Sequence, residues 1–245
     1  MRFLAFSGLV VVAGVAVAVA AHAQRVSPAP AGSAGGRRGP PPALKVVPGS
    51  SLCVTAGRVA PVSPTLLNVD IGGMRGVIAG DASTSAQLGF VYRGPSKTEA
   101  PLANGVVRRQ IGLKLRAKNT CNLVYVMWHV EPTSGVFVSV KSNPGMSTHA
   151  QCGANGYINL KPSGGVQPKR LEAGGRHTLR AAIEGRTLRA YADGALAWEG
   201  TLPVEGDAIV GPSGVRSDNG SFDFDLSVPG GVRAGVPCSP ADGPD

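Results

Sequence analysis

The sequence predicts an all-β fold, an antiparallel two-sheet β-sandwich built from about a dozen short strands. Three observations predict it. Apolar side chains alternate with polar ones through Leu179, Ala181 and Ile183, through Leu188, Ala190 and Ala192, and through Phe222, Phe224, Leu226 and Val228. A two-residue period puts one set on a buried face of a sheet and the other on the opposite face. Glu184-Gly185 and Asp193-Gly194 separate such runs, and acid–glycine pairs favour tight hairpins. No segment sustains a helical period, apart from a short turn near Leu171. Many strands with no helices between them pair antiparallel and close as a sandwich.

Taken in order, the first 23 residues read as a secretory signal. Arg2 supplies the positive start, Gly8 to Ala21 an apolar or small-residue run, and Ala21-His22-Ala23 a small-x-small cleavage site. The run is shorter than the roughly 20 residues a bilayer span needs, and no later segment is apolar enough. Residues 24–48 read as a disordered, basic linker. Pro, Ala, Gly and Ser dominate it, and it carries Arg25, Arg37, Arg38 and Lys45 with no acid. Such a segment buries too little apolar surface to repay its ordering entropy. It is a solvated spacer, or a basic tether for an anionic polymer or membrane surface.

The folded domain is expected over 49–240, with a tail at 241–245. Its strands fall near 51–60, 74–79, 86–93, 106–117, 122–131, 136–142, 157–161, 177–184, 187–192, 195–199, 208–216 and 221–228, with Gly, Pro, Asn and Asp between almost all of them. The formal net charge is +9, and Arg2, Arg25, Arg37, Arg38 and Lys45 lie in the first 48 residues, so only a mild excess is left to the domain. No Lys/Arg run with interleaved aromatics is present, which argues against a dedicated nucleic-acid binder.

The order of motifs in the last quarter carries a resemblance. His177-Thr178-Leu179, a strand, the Asp193-Gly194 hairpin, Trp198-Glu199-Gly200, then Gly214-Val215-Arg216-Ser217-Asp218-Asn219 and Phe222-Asp223-Phe224 are similar to the C-terminal half of concanavalin A-like jelly rolls. That superfamily includes laminin-G-like domains, lectins and glucanases. The resemblance implies a jelly roll. It does not fix a chemistry, because one fold hosts many functions.

Cys53, Cys121, Cys152 and Cys238 form an even set in an exported chain, which argues for disulfides in one of three connectivities. Hairpin geometry favours Cys121–Cys152: the strands 122–131 and 136–142 flank a turn that sets Cys121 opposite about Met146, and the following loop can bring Cys152 back. Cys53–Cys238 rests on the resemblance, since jelly-roll termini often meet. No C-x-x-C pair supports zinc.

Candidate ligand groups concentrate in the middle of the chain. Val124, Val126, Trp128 and Val130 share one strand face; Leu123, Tyr125, Met127, His129 and Glu131 share the other. The mixed second set suits a concave ligand face, or a central strand apolar on both sides. Trp128 would be a sugar-stacking platform, although Val126 and Val130 on its face also fit a core tryptophan. Lys141 ends the next strand, and a polar loop runs through Asn143 and His149 to Cys152. A polar loop pinned by a disulfide suits a binding rim. Glu131, Lys141, Asn143 and His149 would then hydrogen-bond hydroxyls or a carboxylate. One of Arg108 and Arg109, which point to opposite faces, would favour an acidic ligand.

Catalytic patterns are weaker. Asp223 and Asp225 project to one side of a strand, but the glucanase E-x-D-x-x-E pattern is absent and the pair fits a solvated face. No cofactor is called for. Calcium, which laminin-G-like domains can hold with Asp and Asn oxygens, would fall to Asp218 and Asn219, without a ligand set of the needed size. The reading is an exported, secreted or periplasmic, non-catalytic domain that binds a carbohydrate or other polar ligand on the concave sheet and the loop 141–152, its partner a carbohydrate or cell-surface polymer. The alternatives are a glycan hydrolase or lyase using Glu131 with His129 or His149, and a structural or adhesion module with no pocket.

Overall fold

The computed structural model describes residues 43–232, 236 and 238. The expected signal peptide, most of the expected linker and the tail at 241–245 lie outside those residues.

The strands are β1 (Leu44–Val46), β2 (Leu52–Ala56), β3 (Ala60–Pro61), β4 (Leu67–Asp70), β5 (Gly73–Ile78), β6 (Ser85–Pro95), β7 (Arg109–Asn119), β8 (Asn122–Glu131), β9 (Gly135–Lys141), β10 (Tyr157–Leu160), β11 (Arg176–Glu184), β12 (Thr187–Ala192), β13 (Ala195–Thr201), β14 (Gly214–Asp218) and β15 (Gly220–Pro229). Two single α-helical turns, α1 (His149–Cys152) and α2 (Val204–Asp207), and a 3-10 turn at Gly49–Ser51 interrupt them. One sheet has eight strands in the order β13-β12-β11-β6-β15-β4-β3, with β1 also paired to β15. The other has seven, in the order β10-β9-β8-β7-β14-β5-β2. Every pairing is antiparallel, as the sequence predicts.

The alternating residues meet between the sheets. Leu88, Phe90, Leu179, Ala181, Phe222, Phe224 and Leu226 face Ile111, Leu113, Val124, Val126, Trp128 and Val138 in one apolar cluster. Hydrophobic burial of this layer is the main force holding the sandwich together. The Asp193-Gly194 turn has positive φ at both residues, 48° and 82°, which is the backbone that matches the twist of β12 and β13.

Several expectations need correction. The folded unit starts before residue 49: β1 pairs with Ser227–Pro229, and Val47 is 3% exposed in the core. The composition of the preceding segment hid this three-residue strand. β4 is a further strand that the pattern does not predict, because the short run Leu67–Asp70 lies between turns. The expected strand at 208–216 begins only at Gly214, after α2. The β8–β9 register pairs Leu123 with Lys141. It sets Cys121 near Asn143, whose amide nitrogen Nδ2 donates to the Cys121 carbonyl at 3.1 Å, instead of opposite Met146.

Disulfides join Cys121 to Cys152 and Cys53 to Cys238. The second clamps the end of the chain onto β2. Val236 packs there on a second apolar cluster of Cys53, Val77, Ala79, Leu123, Tyr125 and Met127 on the outer face of the seven-stranded sheet.

Candidate functional site

The outer face of the seven-stranded sheet is concave. Arg216 on β14 and Tyr157 on β10 are separated by β7, β8 and β9. On a flat sheet four strand spacings come to roughly 19 Å. Yet Arg216 Nη1 lies 3.4 Å from the Tyr157 hydroxyl, so the sheet curls toward this side. Gly112 stands opposite Arg216 in the register, between it and Met127. A Cβ there would collide with the Val126 carbonyl oxygen and lie 2.6 Å from the Met127 Cα, so only glycine lets the layer close. The Arg216 guanidinium reaches past it to 5.1 Å from the centre of the Tyr125 ring.

Charge on this floor is held in one network. Arg216 Nε donates to Asp218 Oδ2 at 2.8 Å, and Gln110 Nε2 donates to the same oxygen at 2.6 Å. Arg75 lies 3.5 Å from Oδ1. Burial pushes the Asp218 carboxyl up, but the positive charges of Arg216 and Arg75 and the hydrogen bonds from Arg216 and Gln110 overcome it and hold it below the ordinary carboxylate range. Burial also works against the charge on Arg216, and Asp218 outweighs it, so the guanidinium stays charged well beyond its ordinary range. His129 stacks on Phe137 with ring centres 4.2 Å apart. Burial, with the nearby Arg108 charge, pushes its pKa down to about 3, so the imidazole is neutral at pH 7.

The open end of this face lies over β8, β9 and β10, away from Val236. Phe137 is 41% exposed and Tyr157 40%, while Asn159 is exposed and Ser139 half-buried. Tyr157 stacks on Tyr125 at 6.1 Å, and Lys141 Nζ lies 5.3 Å from its ring centre while donating to the Gly153 carbonyl at 2.7 Å. Two exposed rings on a firm polar floor are suited to the apolar faces of a polyhydroxylated ring, with amide and hydroxyl groups beside them for its hydroxyls.

The residues expected from the sequence are distributed differently. Trp128 points to the opposite side, 1% exposed, edge-on to Phe90 at 5.6 Å. A ring with no open face cannot serve as the stacking platform expected of Trp128. Glu131 has both oxygens engaged, Oε2 by Arg109 and Oε1 by Arg170 at 2.9 Å. Arg109 is shared with Glu99, 2.7 Å from its Nε. Asn143 is spent on the fold: its backbone N–H donates to Asn122 Oδ1 at 2.8 Å, and Nδ2 also donates to the Asn155 carbonyl at 3.0 Å. His149 is exposed on α1. Lys141 alone of the five stands on the floor beside the exposed rings, and it is 2% exposed.

The Asp218 and Asn219 oxygens considered for calcium are also committed. Asp218 belongs to the guanidinium network, and Asn219 Oδ1 accepts from the Ala100 N–H at 2.7 Å. Asp223 and Asp225 lie on the outer face of the eight-stranded sheet, paired with Arg93 and Arg176.

The reading from sequence missed Phe137, Tyr157, Gln110 and Arg216. A signal for Phe137 existed: it alternates with Val136 and Val138 on the face that carries Ser139 and Lys141, which puts a large aromatic on a polar side.

No protein-family model matches the chain, and no curated protein matches it. Solved structures do. The carbohydrate-binding module CBM66 from Bacillus subtilis aligns over 71% of this chain and 91% of its own, at 12% identity and a TM-score of 0.50. The chain has the concanavalin A-like jelly-roll fold. Domain 4 of AbnA, a GH43 extracellular arabinanase from Geobacillus stearothermophilus, aligns over 75% of this chain and 92% of its own, at 8% identity and a TM-score of 0.42. A tetrameric galectin from the ball sponge Cinachyrella sp. aligns over 66% and 98%, at 14% identity and 0.39. At these identities the likeness is one of fold. Among the described residues, no helix is long and apolar enough to cross a membrane.

Proposed function

We propose that the chain is an exported, non-catalytic carbohydrate-binding domain whose glycan lies over β8, β9 and β10 on the concave face. The observation that carries this reading is the pair of exposed rings, Phe137 and Tyr157, on a face whose other large side chains are buried and fixed. Sugar rings stack on both; Ser139 and Asn159 meet hydroxyls; Lys141, Tyr125 and Arg216 hold Tyr157 in place. The likeness of the fold to a carbohydrate-binding module supports the ligand class. Two disulfides and the expected signal at 1–23 support an oxidising destination, secreted or periplasmic.

The experiment is a glycan array followed by calorimetry on the best ligand. Phe137→Ala and Tyr157→Ala together weaken binding by at least about tenfold, as truncation of a central aromatic contact does. Their circular-dichroism spectra stay those of the wild type, because both rings are partly exposed. No binding to any neutral or acidic glycan, or equal binding by the double variant, rejects the proposal.

A further inference from the structure

The eight-stranded sheet has an outer face of its own, and it holds a depression of about 400 Å³ whose lining includes Gln87, Thr178, Arg180, Glu184, Arg189 and Tyr191. Its floor follows the register. Gln87 on β6 stands opposite Arg180 on β11, and Arg180 stands opposite Tyr191 on β12. These three side chains form one row across three strands. Thr178 and Ala182 flank Arg180 two positions away on the same face of β11, and their small size leaves the row sunk between longer neighbours.

The charges of this face are matched, with one exception. Arg93 pairs with Asp223 at 2.7 Å and Arg176 with Asp225. Arg189 pairs with Glu199 and, at the rim, with Glu184 at 3.6 Å. The Arg180 side chain has no ion-pair or hydrogen-bond partner among the described residues. It is half-buried beside a half-buried tyrosine ring.

We infer that this depression is a second binding site, on the opposite sheet from the proposed one, for an acidic sugar of the hexuronate type. The planar guanidinium of Arg180 matches a carboxylate in two parallel hydrogen bonds. The Tyr191 ring supports the apolar face of the pyranose, and Gln87 and Thr178 supply an amide and a hydroxyl for its hydroxyls. A neutral sugar would leave the guanidinium without a partner. The acid group therefore sets the specificity, and the site does not depend on the reading of the concave face. With both sites occupied, the domain would bridge two chains of a polysaccharide.

The test titrates the full chain by calorimetry with trimers of galacturonic, glucuronic and mannuronic acid, and with the same trimers after reduction of their carboxyl groups to alcohols. At least one acid form binds with a Kd about tenfold or more below that of its reduced form. Arg180→Gln abolishes the difference, and it spares the fold because the side chain is half-exposed and unpaired. Phe137→Ala with Tyr157→Ala leaves the difference intact. Acid and reduced trimers that bind alike, no binding by any acid trimer, wild-type binding of the acid form by Arg180→Gln, or its loss in the concave-face variant each overturn the inference.

Discussion

Arg216 and Asp218, two residues apart on β14, grip each other in two contacts, Nε to Oδ2 at 2.8 Å and Nη2 to Oδ1 at 3.3 Å, on a floor where neither is more than 9% exposed. A pair of this kind gains little over a well-packed apolar replacement, but removing one member strands the other charge. Asp218→Asn should therefore cost about 3–5 kcal/mol, while the joint change Arg216→Met with Asp218→Leu costs much less. Urea denaturation of the three proteins checks this ordering. Because the Asp218 carboxyl is held below its ordinary value, its contribution is present above the unfolded carboxylate pKa of 3.8 and is lost as pH falls through the lower folded value.

His129 contributes a loss of the same sign, at higher pH. Its pKa falls from 6.5 to about 3 on folding, so between those values the unfolded chain binds a proton that the folded chain does not. Stability then falls with pH, by on the order of 1.4 kcal/mol per unit below 6.5. His129→Gln removes this slope. The unfolding free energy from urea denaturation should drop between pH 7 and pH 5 by roughly 2 kcal/mol more for the wild type than for the variant. Equal drops would mean that the imidazole is not buried against Phe137 as described.

The two disulfides constrain different things. By loop-closure entropy, Cys121–Cys152 (31 residues apart) contributes at most about 4 kcal/mol, and Cys53–Cys238 (185 apart) at most about 5 kcal/mol. Only the first anchors the loop that supplies the Gly153 carbonyl to Lys141 and leads into Tyr157. Replacing both cysteines of that bond by serine should weaken glycan binding as well as stability. The same change at Cys53 and Cys238 should lower the thermal midpoint and leave the Phe137–Tyr157 end able to bind.

Alternation made most of the sandwich legible. Leu179 to Ile183, Leu188 to Ala192 and Phe222 to Val228 lie on the faces their period assigns. The site was harder to read for a physical reason. Period two tells which residues share a face, but not which face is inside when both are apolar, as on β8. Trp128 and Met127 are neighbours that differ in destination, and only the register with β7 and β14 brings Arg216 next to Tyr125 and Tyr157. The Arg216–Tyr157 contact depends on sheet curvature, which no local pattern records. The same limit hid β1: Leu44-Lys45-Val46 follows a proline-rich segment, and its pairing with β15 joins residues far apart in the chain.

That strand gives a direct test of where the domain begins. Val47 adds its side chain to the core beside Leu226 and donates its N–H to the Leu226 carbonyl at 2.8 Å. Burying a valine side chain contributes about 1.5–3 kcal/mol, and three paired residues of β1 cover part of the edge of β15. A chain starting at Gly49 should therefore be less stable than one starting at Ala43, by at least about 2 kcal/mol. Val47→Asp in the longer chain should lose a similar amount through an unpaired buried charge. Equal urea midpoints for the two starting points would return residues 43–48 to the linker.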